Sequence, residues 1–262
     1  MSDPAFNPQR PLAEQLAEVK NAIRAQPAKA ALRTYYFQLL CVLGDWKKAI
    51  DQLQVCAQLD ANAAPMARAY REAILCEILR AEVFAGRKEP HILGQPAPWM
   101  GYLTDALKQA AAGHPDNAAN LRQQAFDMAE ATPGELDDTP FAWISDADNR
   151  LGPVCEFYAN GCYYWLPFTA IQNIGFEKPQ DLRDMVWQAC EVTLTNGGKL
   201  PGFIPSRYPL LADDGDDIKL ARKTEWQDLG HGHFAGQGQR LWATDQGEHA
   251  LLDVRQLRLR HD

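Results

Sequence analysis

The sequence has none of the short motifs that mark most nucleotide-binding and hydrolytic sites. Neither GxxxxGKS, GxxxxGKT nor GxGxxG occurs, and no serine stands in a GxSxG elbow. The GQGQR stretch at 236–240 has glycines only two apart and does not open a helical pattern. It is therefore a poor phosphate-binding loop.

Long apolar runs and paired cysteines are also missing. No uninterrupted apolar stretch approaches the ~18 residues of a membrane-spanning helix, and MSDPAFNPQR at the start lacks a basic segment followed by an apolar run. The six cysteines include no CxxC pair, and most have apolar neighbours, where a thiol behaves as a small hydrophobe. We therefore expect a globular, cytoplasmic protein without membrane insertion, disulfides or zinc.

Basic clusters are scarce as well. The net charge is −8 and no concentrated basic face is visible, which argues against nucleic acid as a partner. Residues 1–135 carry 14 basic and 15 acidic side chains, whereas residues 136–262 carry 12 and 19. The densest acidic patch, residues 213–217, lacks the ligand spacing and terminal glutamate of a calcium loop. We expect a solvated acidic loop there.

The first half of the chain follows a helical period. Apolar residues form one stripe between Leu12 and Ile23 and a broader stripe between Met66 and Val83, as expected for packed helices. The pattern predicts six helices, at 11–26, 31–43, 46–59, 65–85, 97–112 and 116–131.

Within this half, residues 32–62 resemble a tetratricopeptide repeat, which is a helical hairpin of about 34 residues. Gly44-Asp45 would supply the tight turn, Trp46 and Ile50 the packing, and Ala49 the close approach of the two helices. One such unit cannot bury its apolar face without neighbours. We therefore expect a short helical stack rather than a long solenoid.

The second half changes to a period of two. Asn160-Gly161 stands between two runs of aromatic and branched residues, which is typical of a tight β-hairpin. Further hairpins are expected at Asn196-Gly197 and Gln246-Gly247. The charged stretch at 178–187 suits a short helix.

These two patterns define the predicted architecture. The break falls at TPGELDDTP, residues 132–140. The sequence predicts an α+β protein, with a tetratricopeptide-like helical stack over 1–135 and a small, mainly antiparallel β domain over 136–262.

Three features of the sequence could form chemical sites. His231 and His233 could bind a metal from alternate positions of a strand, but no third ligand follows from the spacing, and we expect loop histidines without a metal. Asp146 and Asp148 are expected to close a turn rather than to form a catalytic pair. The third feature is the segment NGGKLPGFIPSRYP, residues 196–209.

That segment has two readings. Its glycines and Arg207 could cradle an anion, as phosphate-binding loops do. Alternatively, its prolines fix an extended course that Arg207 and Tyr208 pin by hydrogen bonding and ring packing. We favour the structural reading.

Several ordered segments of the second half, taken together, resemble the ImpE/TagJ family of accessory proteins of bacterial type VI secretion. These segments are SDADNRLGPV, NGCYYWLPF, DLRDMVW, TNGGKLPGFIPSRYP, LARKTEW, GQGQRLWATDQGE and LLDVRQL. The likeness extends to the helical half with less specific motifs. It implies a cytoplasmic, non-catalytic component without a cofactor, which contacts an N-terminal helical segment of the small contractile-sheath subunit.

The helical hairpin offers a place for such a partner helix. In tetratricopeptide repeats the positions of Thr34, Tyr35, Gln38 and Val42 lie on the inner side of the first helix. We expect these residues to line a groove that captures an amphipathic helix through a few apolar anchors, Tyr35 foremost.

Two alternatives stay open. The partner surface could instead be an aromatic and cationic patch of Trp165, Arg207, Tyr208 and Trp226, although these rings also suit the core of a sheet. The protein could also be a phosphate-ester hydrolase in which Arg207 binds the anion and an aspartate activates water or a metal. The oligomeric state is open, because a monomer and a dimer with a buried aromatic face share one composition.

Overall fold

The computed structural model describes residues 3–93 and 96–261. Its N-terminal part consists of helices whose bounds lie close to the predicted ones. They are α1 (Leu12–Ala25), α2 (Ala30–Leu43), α3 (Trp46–Leu59), α4 (Ala64–Phe84), α5 (Trp99–Ala111) and α6 (Pro115–Met128). Among the described residues, no helix is long and apolar enough to cross a membrane.

The hairpin of α2 and α3 has the predicted turn. Gly44 ends α2 in the left-handed conformation, with φ of 73°, which glycine adopts without a steric penalty. Asp45 then caps α3, because its side chain accepts a hydrogen bond from the Lys48 N–H. The two helices therefore pack as an antiparallel pair, with α1 on the other side of α2.

The C-terminal part is built of strands, one short α-helix, α7 (Asp216–Lys219), and two 3₁₀ turns, at Phe168–Ala170 and Leu251–Asp253; one further strand, the first in the chain, lies in the helical half. The strands in chain order are β1 (His91–Ile92), β2 (Gly134–Leu136), β3 (Thr139–Phe141), β4 (Ile144–Asp146), β5 (Val154–Ala159), β6 (Cys162–Pro167), β7 (Ile171–Phe176), β8 (Trp187–Leu194), β9 (Lys199–Pro205), β10 (Thr224–Asp228), β11 (Phe234–Gly238), β12 (Leu241–Thr244), β13 (Gly247–Ala250) and β14 (Gln256–Leu259).

Nine of these strands form one sheet in the order β1-β6-β5-β9-β8-β7-β14-β2-β3. The β1–β6 pair is parallel and the other pairs are antiparallel. A three-stranded sheet has the order β13-β12-β4, and β10 and β11 form a separate hairpin. The α+β class with a mainly antiparallel C-terminal part is thus confirmed.

The predicted hairpins are also confirmed. Asn160 and Gly161 connect β5 to β6, and both have positive φ, as a two-residue turn of this kind requires. Asn196-Gly197 lies between β8 and β9. The third hairpin, β12–β13, also forms, but its turn residues are Asp245 and Gln246, because Gly247 begins β13 and pairs with Thr244.

The large sheet is covered on both faces. On one face, Trp242 of the three-stranded sheet packs against Phe168 and Phe176, with ring centroids 5.7 and 5.9 Å apart. On the other face, Tyr70 of α4 packs against Trp187 and Phe203 at 5.9 and 5.2 Å. The helices therefore form a layer on the sheet.

One hydrophobic cluster crosses the boundary between helices and sheet. It joins Leu12 and Phe37 of the helical layer to Trp165 and Trp187 of the sheet. In addition, β1 comes from the helical half of the sequence and pairs with β6. Separate domains over 1–135 and 136–262 remain a prediction.

The predicted helix at 178–187 is wrong. The segment forms consecutive turns and then enters β8 at Trp187. The Asp184 carboxylate accepts the N–H groups of Gln180 and Asp181, and the Asp181 carboxylate accepts the N–H of Arg183. Short acidic side chains that bond nearby backbone in this way stabilise turns at the expense of a helix.

Candidate partner-binding surfaces and the buried charge network

Three of the predicted groove residues form a half-buried stripe on α2. The Tyr35 hydroxyl donates to Oε1 of Gln15 on α1 at 3.0 Å, and burial raises the pKa of Tyr35 to about 12. The Thr34 hydroxyl donates to the Ala30 carbonyl at 3.2 Å. Gln38 is also half-buried. These side chains therefore keep part of their surface accessible.

Val42 does not belong to this stripe in the structure. Its side chain is 0% exposed, and its carbonyl accepts a hydrogen bond from Nη1 of Arg207 at 2.7 Å. The chain that follows β9 covers this end of α2. Val42 is thus enclosed, whereas the sequence placed it in an open groove.

The alternative patch is mostly interior. Trp165, Arg207 and Tyr208 are buried, and only Trp226 reaches the surface, with 37% exposure. The Trp226 and Tyr208 rings are 5.9 Å apart. The structure therefore brings only these two members of the patch together as neighbouring rings, and it offers one of them to solvent.

Arg207 caps the C-terminal end of α2. Its Nη2 donates to the Cys41 carbonyl at 2.8 Å, and its Nη1 donates to the carbonyls of Val42 and Lys219. A cation at the last carbonyls of a helix satisfies free acceptors and interacts favourably with the helix dipole. Burial lowers the pKa of Arg207 to about 10. Both terminal nitrogens of Arg207, with which it would bind an anion, are thus bonded to backbone carbonyls.

Half of the segment 196–209 is a strand of the large sheet. Residues Lys199–Pro205 form β9, inside the large sheet between β5 and β8. A Cβ atom on Gly202 would lie 2.2 Å from the Tyr158 carbonyl oxygen, so glycine is needed for the close approach of β9 to β5.

A buried charge network joins the helical layer to the sheet. Nε and Nη2 of Arg80 donate to the two carboxylate oxygens of Glu156, each at 2.8 Å. Arg240 binds the same carboxylate and that of Asp146. All four side chains are 0 or 1% exposed. Cationic and anionic side chains alternate in this network, so each buried charge has a partner of opposite sign.

The network also fixes the ionisation of Glu156. Burial alone would raise the pKa of its carboxyl, but Arg80 and Arg240 outweigh burial and hold the pKa at about 2. Tyr163 donates to the same carboxylate. Glu156 is therefore a carboxylate at neutral pH.

Glu77 adds a second contact between the layers. Its Oε1 accepts hydrogen bonds from the Tyr158 hydroxyl at 2.9 Å and from Trp187 Nε1 at 3.0 Å. No prediction from the sequence included this network. The available signal was a single acid in the apolar run VCEFYA, together with Glu77 and Arg80 on one side of α4.

The histidine loop lies against α6. His231 Nε2 is 2.7 Å from Oδ1 of Asp116, and His233 Nδ1 accepts a hydrogen bond from Nε of Arg122 at 3.1 Å. Burial, followed by the nearby Arg122, lowers the pKa of His233. Within residues 3–93 and 96–261, no group of three His, Cys, Asp or Glu side chains is placed to hold a metal ion.

Known proteins resemble this chain in sequence and in fold. A family model described as ImpE protein matches residues 138–258. The type VI secretion system accessory component TagJ of Pseudomonas aeruginosa is 50% identical over 247 residues, which are 94% of this chain and 86% of that protein. A crystal structure of a Vibrio parahaemolyticus protein shows the same fold, with a TM-score of 0.88 and 24% identity over 96% of this chain and 94% of that chain.

The likeness to TagJ extends over both the helical layer and the sheets, and the ImpE model covers most of the β region. The chain therefore belongs to the ImpE/TagJ family.

Proposed function

We propose that this protein is a non-catalytic accessory component of a bacterial type VI secretion system, which binds the N-terminal helix of the small sheath subunit in the cytoplasm. The observation that carries the accessory role is the 50% identity to the accessory component TagJ over 94% of the chain. The sheath helix as ligand follows from the family resemblance of the sequence.

The α2 stripe supports capture of a helix. Tyr35 offers a ring that is held by Gln15, so that little side-chain entropy is lost when a partner packs on it. Thr34 and Gln38 flank the ring with polar groups. We assign the partner contact to these three residues and leave Val42 to the interior, where Arg207 holds its carbonyl.

The bonding of the reactive side chains supports a binding role over hydrolysis. Arg207 donates to three backbone carbonyls, and the Ser206 hydroxyl donates to the Asp184 carbonyl at 2.6 Å. Both residues serve to fasten the loop after β9. A hydrolase of phosphate esters would need such groups turned towards a ligand.

The proposal is tested by mixing the purified protein with the cognate small sheath subunit, either intact or without its N-terminal helix, and separating the mixtures by size. We expect co-elution with the intact subunit only. Equal co-elution with the truncated subunit would show that the helix is not the ligand, and no co-elution with either would refute sheath binding.

A further inference from the structure

A cleft of about 280 Å³ opens where the C-terminal end of α6 meets β4 and the turn that follows it. Its walls combine apolar side chains with the polar residues Glu130, Ser145, Asp146 and Asn149. Its lining residues include Phe126, Trp143 and Ile144. Pockets for small molecules usually begin at about 300 Å³, so this cleft suits one or two side chains of a partner.

The cleft is surrounded by exposed apolar side chains. Trp143 in its wall is 39% exposed, and Met128, next to the lining residue Ala129, is 48% exposed. Phe234 is 42% exposed and borders the cleft, because its N–H donates to Oδ1 of Asn149 at 2.7 Å and its carbonyl accepts the Asn149 N–H at 3.0 Å. Exposed apolar residues grouped at a concave site mark interaction surfaces.

The charges beside the cleft are acidic. Glu130 lines it, Asp127 lies on the same helix end, and Asp228 pairs with Phe234 in the β10–β11 register. Among the ion pairs of the described residues, none includes these three acids, whereas Arg150 is bound to Asp148 at 2.5 Å. The surface therefore complements a cationic partner.

We propose that this cleft, lined by Phe126, Glu130 and Trp143 and bordered by Phe234, binds a basic amphipathic helix of a partner protein. A bulky apolar side chain of the helix enters the cleft between Phe126 and Ile144. A neighbouring lysine or arginine lies over the Trp143 ring beside Glu130, where a cation is attracted by both the ring and the carboxylate. This surface is on α6 and is separate from the α2 stripe.

The test uses the full chain and a labelled, short amphipathic peptide of leucine and lysine, with a counterpart in which glutamate replaces every lysine. Binding is measured by the fluorescence anisotropy of the peptide. We expect saturable binding of the lysine peptide and no binding of the glutamate peptide. Trp143→Ala should weaken it at least about tenfold, as expected for a central aromatic anchor. Glu130→Lys should also weaken it several-fold, and thermal unfolding verifies that both variants are folded.

Two control variants separate the cleft from general attraction to an acidic protein. Leu211→Ala removes another exposed apolar side chain, and Asp213→Lys reverses a charge in the acidic loop. Both should leave the affinity within about twofold of wild type. The proposal would be overturned if the control variants lost as much affinity for the lysine peptide as the cleft variants, or if the cleft variants bound it as wild type does. Absence of saturable binding to the wild-type protein would also overturn it. The sheath-helix experiment above is unaffected by any of these results.

Discussion

Arg80 of α4 and Glu156 of β5 form a bidentate ion pair, in which both hydrogen bonds are 2.8 Å long and both side chains are buried. This pair fastens the helical layer to the sheet at the centre of the molecule. The positions of α4 and its neighbours, including the α2 stripe, therefore depend on contacts with the C-terminal half.

Replacing Arg80 tests how much this ion pair contributes to stability. Arg80→Met leaves Glu156 buried with one fewer cation, and we expect the free energy of unfolding to fall by about 3–5 kcal/mol. Arg68→Ala on the same helix is the matched control, because its i,i+4 pair with Glu72 is exposed and contributes at most about 0.5 kcal/mol. Urea unfolding measures both, and equal effects would contradict the assigned role of Arg80.

The pH dependence of stability should report on Glu156. The folded-state pKa of about 2 lies below the ordinary value of 4.5, so the carboxylate stabilises the fold above pH 4.5, and this contribution is lost as the pH falls towards 2. Glu156→Gln should destabilise the protein at pH 7 by about 3 kcal/mol. The difference from wild type should shrink between pH 4.5 and 2.5, and a constant difference would show that ionisation of Glu156 is not its cause.

Replacing each of two glycines by alanine should change the free energy of unfolding in opposite directions. At Gly202 a Cβ would lie 2.2 Å from the Tyr158 carbonyl, and we expect Gly202→Ala to cost about 1–3 kcal/mol through strain between β9 and β5. At Gly101, in α5, a Cβ would meet nothing within 4 Å, so Gly101→Ala should stabilise by about 0.5–1 kcal/mol. Thermal unfolding measures both variants. The unfolding temperature should fall for Gly202→Ala and rise for Gly101→Ala, and a shift in the same direction for both would contradict this prediction.

Tyr35 is the residue on which the proposed partner contact depends most. Tyr35→Ala should leave the fold intact and weaken binding of the sheath helix by at least about 1 kcal/mol, the usual threshold for an important interface residue. Tyr102→Ala, at a half-buried position of α5, serves as the control and should bind as wild type does. An affinity within about 0.5 kcal/mol of wild type for Tyr35→Ala would remove it from the interface.

Local signals in the sequence predicted most elements of the fold. The helix bounds followed from periodicity, and Asn160-Gly161 predicted the β5–β6 turn because few residue pairs adopt two successive positive φ angles. Asp146 and Asp148 were expected to close a turn, and the Asp148 N–H does donate to the Asp146 carboxylate at 2.9 Å. Local bonding also explains the error at 178–187, where acidic side chains close turns.

Long-range contacts were beyond such reasoning. Glu156 and Arg80 are 76 positions apart, and Arg207 is 165 positions from Val42. No periodicity relates residues at these separations, because their meeting depends on how whole layers pack. For the same reason, the enclosure of Val42 and the cleft between the end of α6, β4 and the turn after β4 emerge only from the assembled structure.

The most direct test of the central claim is calorimetric titration of the folded protein with a synthetic peptide that copies the N-terminal helix of the cognate small sheath subunit. We predict a dissociation constant in the micromolar range or tighter, with a negative heat-capacity change from burial of apolar surface. No binding by a soluble peptide would contradict helix capture.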